Sequence, residues 1–311
     1  MTKIQRLPGG RLSMVLFSVA GLALVGLLTG CQTPPPVSTR DRNFPKEGKS
    51  GPEARSAADR YFRAGFARAI GIRDVTADLT RQELVGNRLQ ESETLHWVQR
   101  VEPHSLHLTW IGERRKGREV VYVQGSNDDK VLVHEPGALS RIKPVLRFAP
   151  TSAAMSYGSR YSITVVGYQA LVKRIVQNYD DAARRGSVNV VDFGTLQHEG
   201  YKTRAFKVVL DFPGTQTGDY HSMIVWFDVA TGLPVHFVGV DSNDVLLEDY
   251  LWKSLKVNQD LTDADFTLSF AVEPPENPQP KTPEAIPSVP QPETKPPAPK
   301  PEAKPSETGA P

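Results

Sequence analysis

Ser222-Met223-Ile224-Val225-Trp226-Phe227-Asp228-Val229-Ala230-Thr231-Gly232-Leu233-Pro234-Val235-His236-Phe237-Val238-Gly239-Val240 holds two apolar runs around a short turn. Ser222–Asp228 and Pro234–Val240 have strand length, and Val229-Ala230-Thr231-Gly232 between them has turn composition. Successive residues of a strand point to opposite faces. Met223, Val225 and Phe227 on one parity, and Ile224 and Trp226 on the other, are all apolar. The hairpin is therefore expected to be covered on both faces, with a helix or a cavity on its concave side.

The flanks continue in the same manner. Downstream, Val245–Leu255 reads as a last strand leading to Leu261-Thr262-Asp263-Ala264-Asp265-Phe266, where Thr262 caps a short helical turn with Asp265 at the third position. Upstream, Val188–Gln197 and Arg204–Phe212 flank the turn His198-Glu199-Gly200-Tyr201. Before them the period changes to that of a helix. Leu171, Val172, Ile175, Val176, Tyr179, Ala182 and Ala183 form one apolar stripe, predicting a helix over about 163–185 that Gly186 stops.

From Val75 to Glu135 the period is two. Leu106, Leu108 and Trp110 alternate with His107 and Thr109, and Arg118–Gln124 and Lys130–His134 are two more strands around Gly125-Ser126-Asn127-Asp128-Asp129. That acidic turn resembles part of a calcium loop but lacks the other ligand positions and the closing glutamate. A first helix is predicted over about 52–72, from Ala54, Ala57, Ala58, Tyr61, Phe62, Gly65, Phe66 and Ala69. Ser50 and Glu53 have the spacing of a capping box at its start. Helix, strands, helix, strands gives an α+β class: one large curved antiparallel sheet, a half-barrel wrapped over two or three helices, in a single domain over 52–272.

Trp226-Phe227-Asp228-Val229-Ala230-Thr231-Gly232-Leu233-Pro234-Val235 resembles a hairpin of the LolA/LolB/RseB lipoprotein-carrier superfamily. Tyr250-Leu251-Trp252-Lys253-Ser254-Leu255-Lys256-Val257-Asn258, followed by Leu261, Asp265 and Phe266, is similar to the last strand and exit of that group. More closely, 55–272 resembles an uncharacterised bacterial lipoprotein family, known as a domain of unknown function, in which a Gly-Arg-Glu-x-x-Tyr-Val-x-Gly-x-Asn segment recurs, here Gly117 to Asn127. The resemblance implies a half-barrel with a helical plug and an apolar concave face able to take acyl chains. It offers no catalytic residues to carry over.

The ends of the chain have another composition. Lys3, Arg6 and Arg11 precede an apolar run from Met14 to Leu28, which ends in Leu28-Thr29-Gly30-Cys31. A run of about 15 residues is short for a spanning helix and fits an export signal. Residues 1–30 are thus expected to be a lipoprotein signal peptide, cut before Cys31, whose thiol receives lipid. Two or more acyl chains, each methylene contributing about 0.8 kcal/mol, would hold the chain at a membrane stably. Cys31 is the only cysteine, so no disulfide is available to the mature chain.

Residues 31–51 read as the lipidated start and a flexible tether. In 273–311, 14 of 39 residues are proline and none is aromatic, so a disordered, extended Pro-rich tail is expected. It is a candidate arm toward a cell-wall or other envelope partner. The formal charge of +2 falls to near −1 once Lys3, Arg6 and Arg11 are removed. Without a basic excess, nucleic acid is not an expected partner.

Motifs of catalysis are missing: there is no Gly-x-Ser-x-Gly, His-Glu-x-x-His or glycine-rich phosphate loop. His104 and His107, three apart, fall on opposite faces of a strand, and surface histidines are the expectation. No enzyme, cofactor or metal is expected. The expected function is a membrane-anchored cell-envelope module that binds lipid or lipoprotein acyl chains. The alternative is a scaffolding lipoprotein acting through protein contacts and its Pro-rich arm. Gln32 after Cys31, in place of Asp, directs the expectation to the periplasmic face of the outer membrane where two membranes exist. Trp110 and Trp226 are the candidate lining of a ligand cavity.

Overall fold

The β-rich patterning collects into one sheet. The computed structural model describes residues 44–156, 158–186, 188–210 and 220–269. The signal over 1–30, Cys31, most of the tether and the Pro-rich 273–311 lie outside the described residues.

In chain order the strands are β1 (Lys49–Ser50), β2 (Asp74–Val85), β3 (Arg88–Leu89), β4 (Glu93–Arg100), β5 (Ser105–Trp110), β6 (Glu119–Val123), β7 (Val131–His134), β8 (Leu146–Phe148), β9 (Val188–His198), β10 (Tyr201–Leu210), β11 (Ser222–Asp228), β12 (Pro234–Val240) and β13 (Leu246–Val257). The helices are α1 (Pro52–Ala69), α2 (Ala138–Ile142), α3 (Ala153–Ser156) and α4 (Tyr168–Arg185). The 13 strands form one open antiparallel sheet in the order β1-β9-β10-β11-β12-β13-β2-β4-β5-β6-β7-β8, with β3 paired to β2. The β13–β2 ladder, Glu248↔Glu83 through Val257↔Val75, joins the two meanders.

Both strands of the β11–β12 hairpin are buried along their whole length, and its turn is exposed. Met223, Val225, Phe227 and Phe237 face the large cluster beneath α1 and α4. Ile224, Trp226, Val235 and Val238 form a second cluster on the outer face. Asp228 shapes the turn, because its Oδ2 accepts from Thr231 N at 3.0 Å and Thr231 Oγ1 at 2.7 Å. Gly232 follows at φ 68°, and a Cβ there would lie 2.6 Å from Arg68 of α1. In the hairpin of β9 and β10 both turn residues are left-handed, Glu199 at φ 51° and Gly200 at φ 89°, which matches the strand twist.

Several expectations are corrected. Ser50 does not cap α1, because it pairs with Val191 as part of β1. Gly51 is the N-cap without a side-chain bond, and Pro52 removes a donor that would lack an intrahelical acceptor. The helix α4 begins at Tyr168, not near 163, with Gly167 as its N-cap. Three short elements, α2, β8 and α3, have no periodic signature and were not foreseen. Thr262 and Asp265 do form the capping box at Asp263–Phe266.

Candidate functional site

The inner face of the sheet has two ends of different chemistry. Under α1 and α4 it is aromatic: Phe62 stacks on Tyr179 at 4.4 Å between centroids and meets Phe227 edge-on at 5.2 Å. Gly65 permits this approach, since a Cβ there would lie 2.9 Å from the Phe227 ring. Trp97, Tyr168 and Trp252 continue the packing, with Trp252 at 5.4 Å from Trp97 and 5.2 Å from Tyr168.

At the other end the same sheet face carries arginine and glutamate, covered by residues 153–156 and 158–167. Glu248 is fully buried and holds Arg160 at 3.0 Å and Arg174 at 2.8 Å, while the Tyr161 hydroxyl donates to it. Across the ladder, Glu83 accepts from Tyr250 OH and from the Arg160 backbone N–H, both at 2.7 Å. Two adjacent buried carboxylates would repel each other, and the three arginines Arg81, Arg160 and Arg174 offset that. Burial, with Glu248 and Glu83 adding to it, pushes the Tyr250 phenol well up. Glu93 accepts from Arg81 Nη2 at 2.8 Å and Trp110 Nε1 at 2.6 Å. Burial acts to raise its carboxyl, but Arg81 and these hydrogen bonds outweigh it and hold Glu93 below the usual carboxylate range.

Two pockets lie at this junction and share Arg81, Trp97, Tyr161 and Val166 in their walls. One, about 30 Å³, reaches Leu79, Val165 and Trp252. The other, about 60 Å³, reaches Trp110, Arg115 and Arg118. A larger hollow of about 830 Å³ at the start of α1 is an open, polar groove beside the Asp192–Arg204 pair.

The structure thus places Trp110 in a pocket wall and Trp226 elsewhere. Trp226 has the outward parity of a strand that is apolar on both faces. It is buried in the outer cluster between Phe44, His198 and His236, at 6.0, 4.8 and 4.4 Å, and lines neither pocket. The expectation of surface histidines is corrected here. His198 Nε2 lies 2.6 Å from His236 Nδ1, and His236 Nε2 lies 2.8 Å from Asp249. Burial is the largest influence on His198 and lowers it, with Glu199 opposing and Lys253 assisting. His104 and His107 do diverge, to the Ile163 and Asp265 carbonyls. Sequence reading also missed Arg81, Glu83, Glu93, Arg160, Arg174 and Glu248. Arg81 and Glu83 interrupt the apolar parity of β2, and that was the available signal.

An open antiparallel half-barrel with a helical plug and a part-polar mouth defines the class of protein. Within it, the chain belongs to the family described as a protein of unknown function, DUF1571, which it matches over residues 72–280. This is the domain-of-unknown-function family expected from the Gly117–Asn127 segment. No curated protein is similar enough to count as a match.

Among solved structures, MucB is 14% identical with a TM-score of 0.39 over 68% of this chain and 62% of MucB. The Mycobacterium tuberculosis lipoprotein LppX is 14% identical, with a TM-score of 0.39 over 67% of this chain and 98% of LppX. A LolA superfamily protein from Nitrosomonas europaea is 7% identical, with a TM-score of 0.33 over 68% and 97%. The chain spans less than two thirds of the length of MucB.

Proposed function

We propose that this chain is a non-enzymatic module of the cell envelope, held at a membrane by lipid on Cys31, that binds lipid or lipoprotein acyl chains beneath residues 153–156 and 158–167. One observation carries the reading: two adjoining pockets with largely apolar walls under a covering segment that is mostly irregular. Trp97, Trp110 and Trp252 are the aromatic walls. Trp252 Nε1 is buried without a hydrogen-bond partner among the described residues, as suits a wall that meets a ligand.

The closed volumes of about 30 and 60 Å³ fall well short of the roughly 300–1,000 Å³ of ligand pockets. Binding therefore requires the covering segment to lift. It is tied by His104 to Ile163 O at 2.9 Å, by Arg160 Nη1 to Leu84 O at 3.0 Å, and by Arg160 and Tyr161 to the buried Glu83 and Glu248, so these contacts must part as it lifts. Val165 within it is 62% exposed, so part of its apolar surface is not used in closure.

The small volume favours the second reading, a scaffold that acts through protein contacts, with the Pro-rich arm engaging a cell-wall or other envelope partner. Native mass spectrometry of the full chain in a mild detergent separates the two. The binding reading expects a non-covalent lipid mass beyond the lipid on Cys31, and its consistent absence favours the scaffold. For the anchor, Cys31→Ser is expected to leave uncut, unlipidated precursor. Normal processing of that variant would remove the lipoprotein reading, and with it the outer-membrane location.

A further inference from the structure

The pocket of about 60 Å³ holds roughly the space of two waters, too little for a chain but enough for one compact anionic group. Its polar side has three guanidinium groups, Arg81, Arg115 and Arg118. Their carboxylate partners are Glu83 at 3.4 Å and Glu93 at 2.8 Å for Arg81, and Glu135 for Arg118. Glu93 Oε1 accepts from Arg81 and Oε2 from Trp110, and Arg115 approaches Oε2 only to 3.9 Å. Arg118 lies over the Trp110 ring at 5.0 Å and meets Glu135 at 3.2 Å. Burial pulls Arg118 below its ordinary value, and although Glu135 opposes this, Arg115 and Arg81 add to it. Arg115 is thus the loosely held member of the three, with Glu93 at 3.9 Å as its carboxylate contact among the described residues.

Neighbouring basic groups are accounted for elsewhere, Arg114 by Glu91 and Lys116 by Glu113 at 3.7 Å. The opposite wall is apolar, with Met155, Ile163 and Val166, and leads into the second pocket. Planar guanidinium groups match the paired oxygens of phosphate and carboxylate.

We propose that this pocket is an anion site in which Arg115 and Arg118 hold the phosphate or carboxylate of an amphiphile, with Trp110 as its floor. The amphiphile's chain runs under residues 153–156 and 158–167, and in that respect the inference rests on the binding reading above. The Gly117-Arg118-Glu119 segment then has a role: Gly117 turns the chain at φ 83°, Arg118 enters the pocket, and Glu119 faces His107 on the other side at 3.1 Å.

The test is equilibrium binding of dodecyl phosphate, dodecanol and inorganic phosphate to the full chain in a nonionic detergent. Dodecyl phosphate is expected to bind at least about tenfold more tightly than dodecanol, the scale of one charge-assisted hydrogen bond. Arg115→Gln and Arg118→Gln are each expected to erase most of that preference, Arg118→Lys to retain part of it, and Arg114→Gln to leave it unchanged. Melting temperatures of all variants establish that they fold. Displacement of dodecyl phosphate by inorganic phosphate assigns the site to free oxyanions as well; failure to displace assigns it to an amphiphile's head. Equal binding of dodecanol and dodecyl phosphate, or arginine variants that leave the preference intact, overturns the anion site and spares the chain-binding reading. Inorganic phosphate binding alone, lost in the arginine variants, sustains the anion site and removes the amphiphile. Binding of none of the three overturns both.

Discussion

The two ends of the inner sheet face are both buried, yet they are held by different forces. Under α1 and α4, rings such as Phe62, Tyr179 and Phe227 fill space against one another. Under residues 153–156 and 158–167, Glu83, Glu93 and Glu248 are joined to arginines and phenols. Packed rings contribute area and dispersion with nothing to exchange. An ion pair can be re-formed with the charge of an incoming group, and the covering segment leaves only when the ties of Arg160 and Tyr161 to Glu248 and Glu83 are exchanged in this way. The aromatic end is the anchor of the fold, and the charged end is where the proposed ligand would compete.

The largest expected effect tests the first half of that contrast. Phe62 is fully buried, and Phe62→Ala is expected to cost about 3–5 kcal/mol. Denaturant unfolding measures it, and a loss below about 1 kcal/mol would mean the ring cluster is not the stabilising end. Next is Glu248→Gln, which keeps the volume and removes the charge between Arg160 and Arg174. Breaking a buried pair costs about 3–5 kcal/mol; with Arg160 and Arg174 side chains 22% and 26% exposed, about 2–3 kcal/mol is expected. A neutral result would show that the charged end is solvated and contributes no order.

A smaller effect lies on the outer face. The folded state holds His198 below its ordinary value, so on acidification the unfolded chain takes up the proton first. The stability from this group is full above about pH 6.5 and declines as pH falls below it, until the folded form is also protonated. Melting temperature is expected to drop over that window, with a shallower slope in His198→Asn. Trp226, stacked on His198, should report the same change in fluorescence. An unchanged slope would show that the histidine stack is not the titrating element. The smallest effect is expected of Arg114→Gln, within about 0.5 kcal/mol, because Arg114–Glu91 is an exposed pair.

The hairpin of β11 and β12 was legible because its signals are local: strand parity, Asp228 bonding three residues ahead, and Gly232 at the turn. The helices followed from their stripes, with boundaries displaced where a strand or a turn outcompeted a cap, as at Ser50 and at 163–167. The charged cluster was not legible because its bonds join distant positions. Arg160 and Glu83 are 77 residues apart, and Tyr161 and Glu248 are 87. Likewise His198 reaches His236 from β9 to β12, across two intervening strands, by the curl of the sheet. Of the two candidate tryptophans, Trp110 and Trp226, parity alone could not say which faces the helices, because β11 is apolar on both sides.

On the proposed reading the covering segment lifts to admit an acyl chain. A titration of the full chain, in a nonionic detergent, with a fluorescent long-chain fatty acid tests it most directly. Saturable binding in the micromolar range is expected, weakened by Trp110→Ala in a variant that still melts cooperatively. No saturable binding up to about 100 µM, with the chain shown to be folded, would contradict it and leave the scaffold as the function.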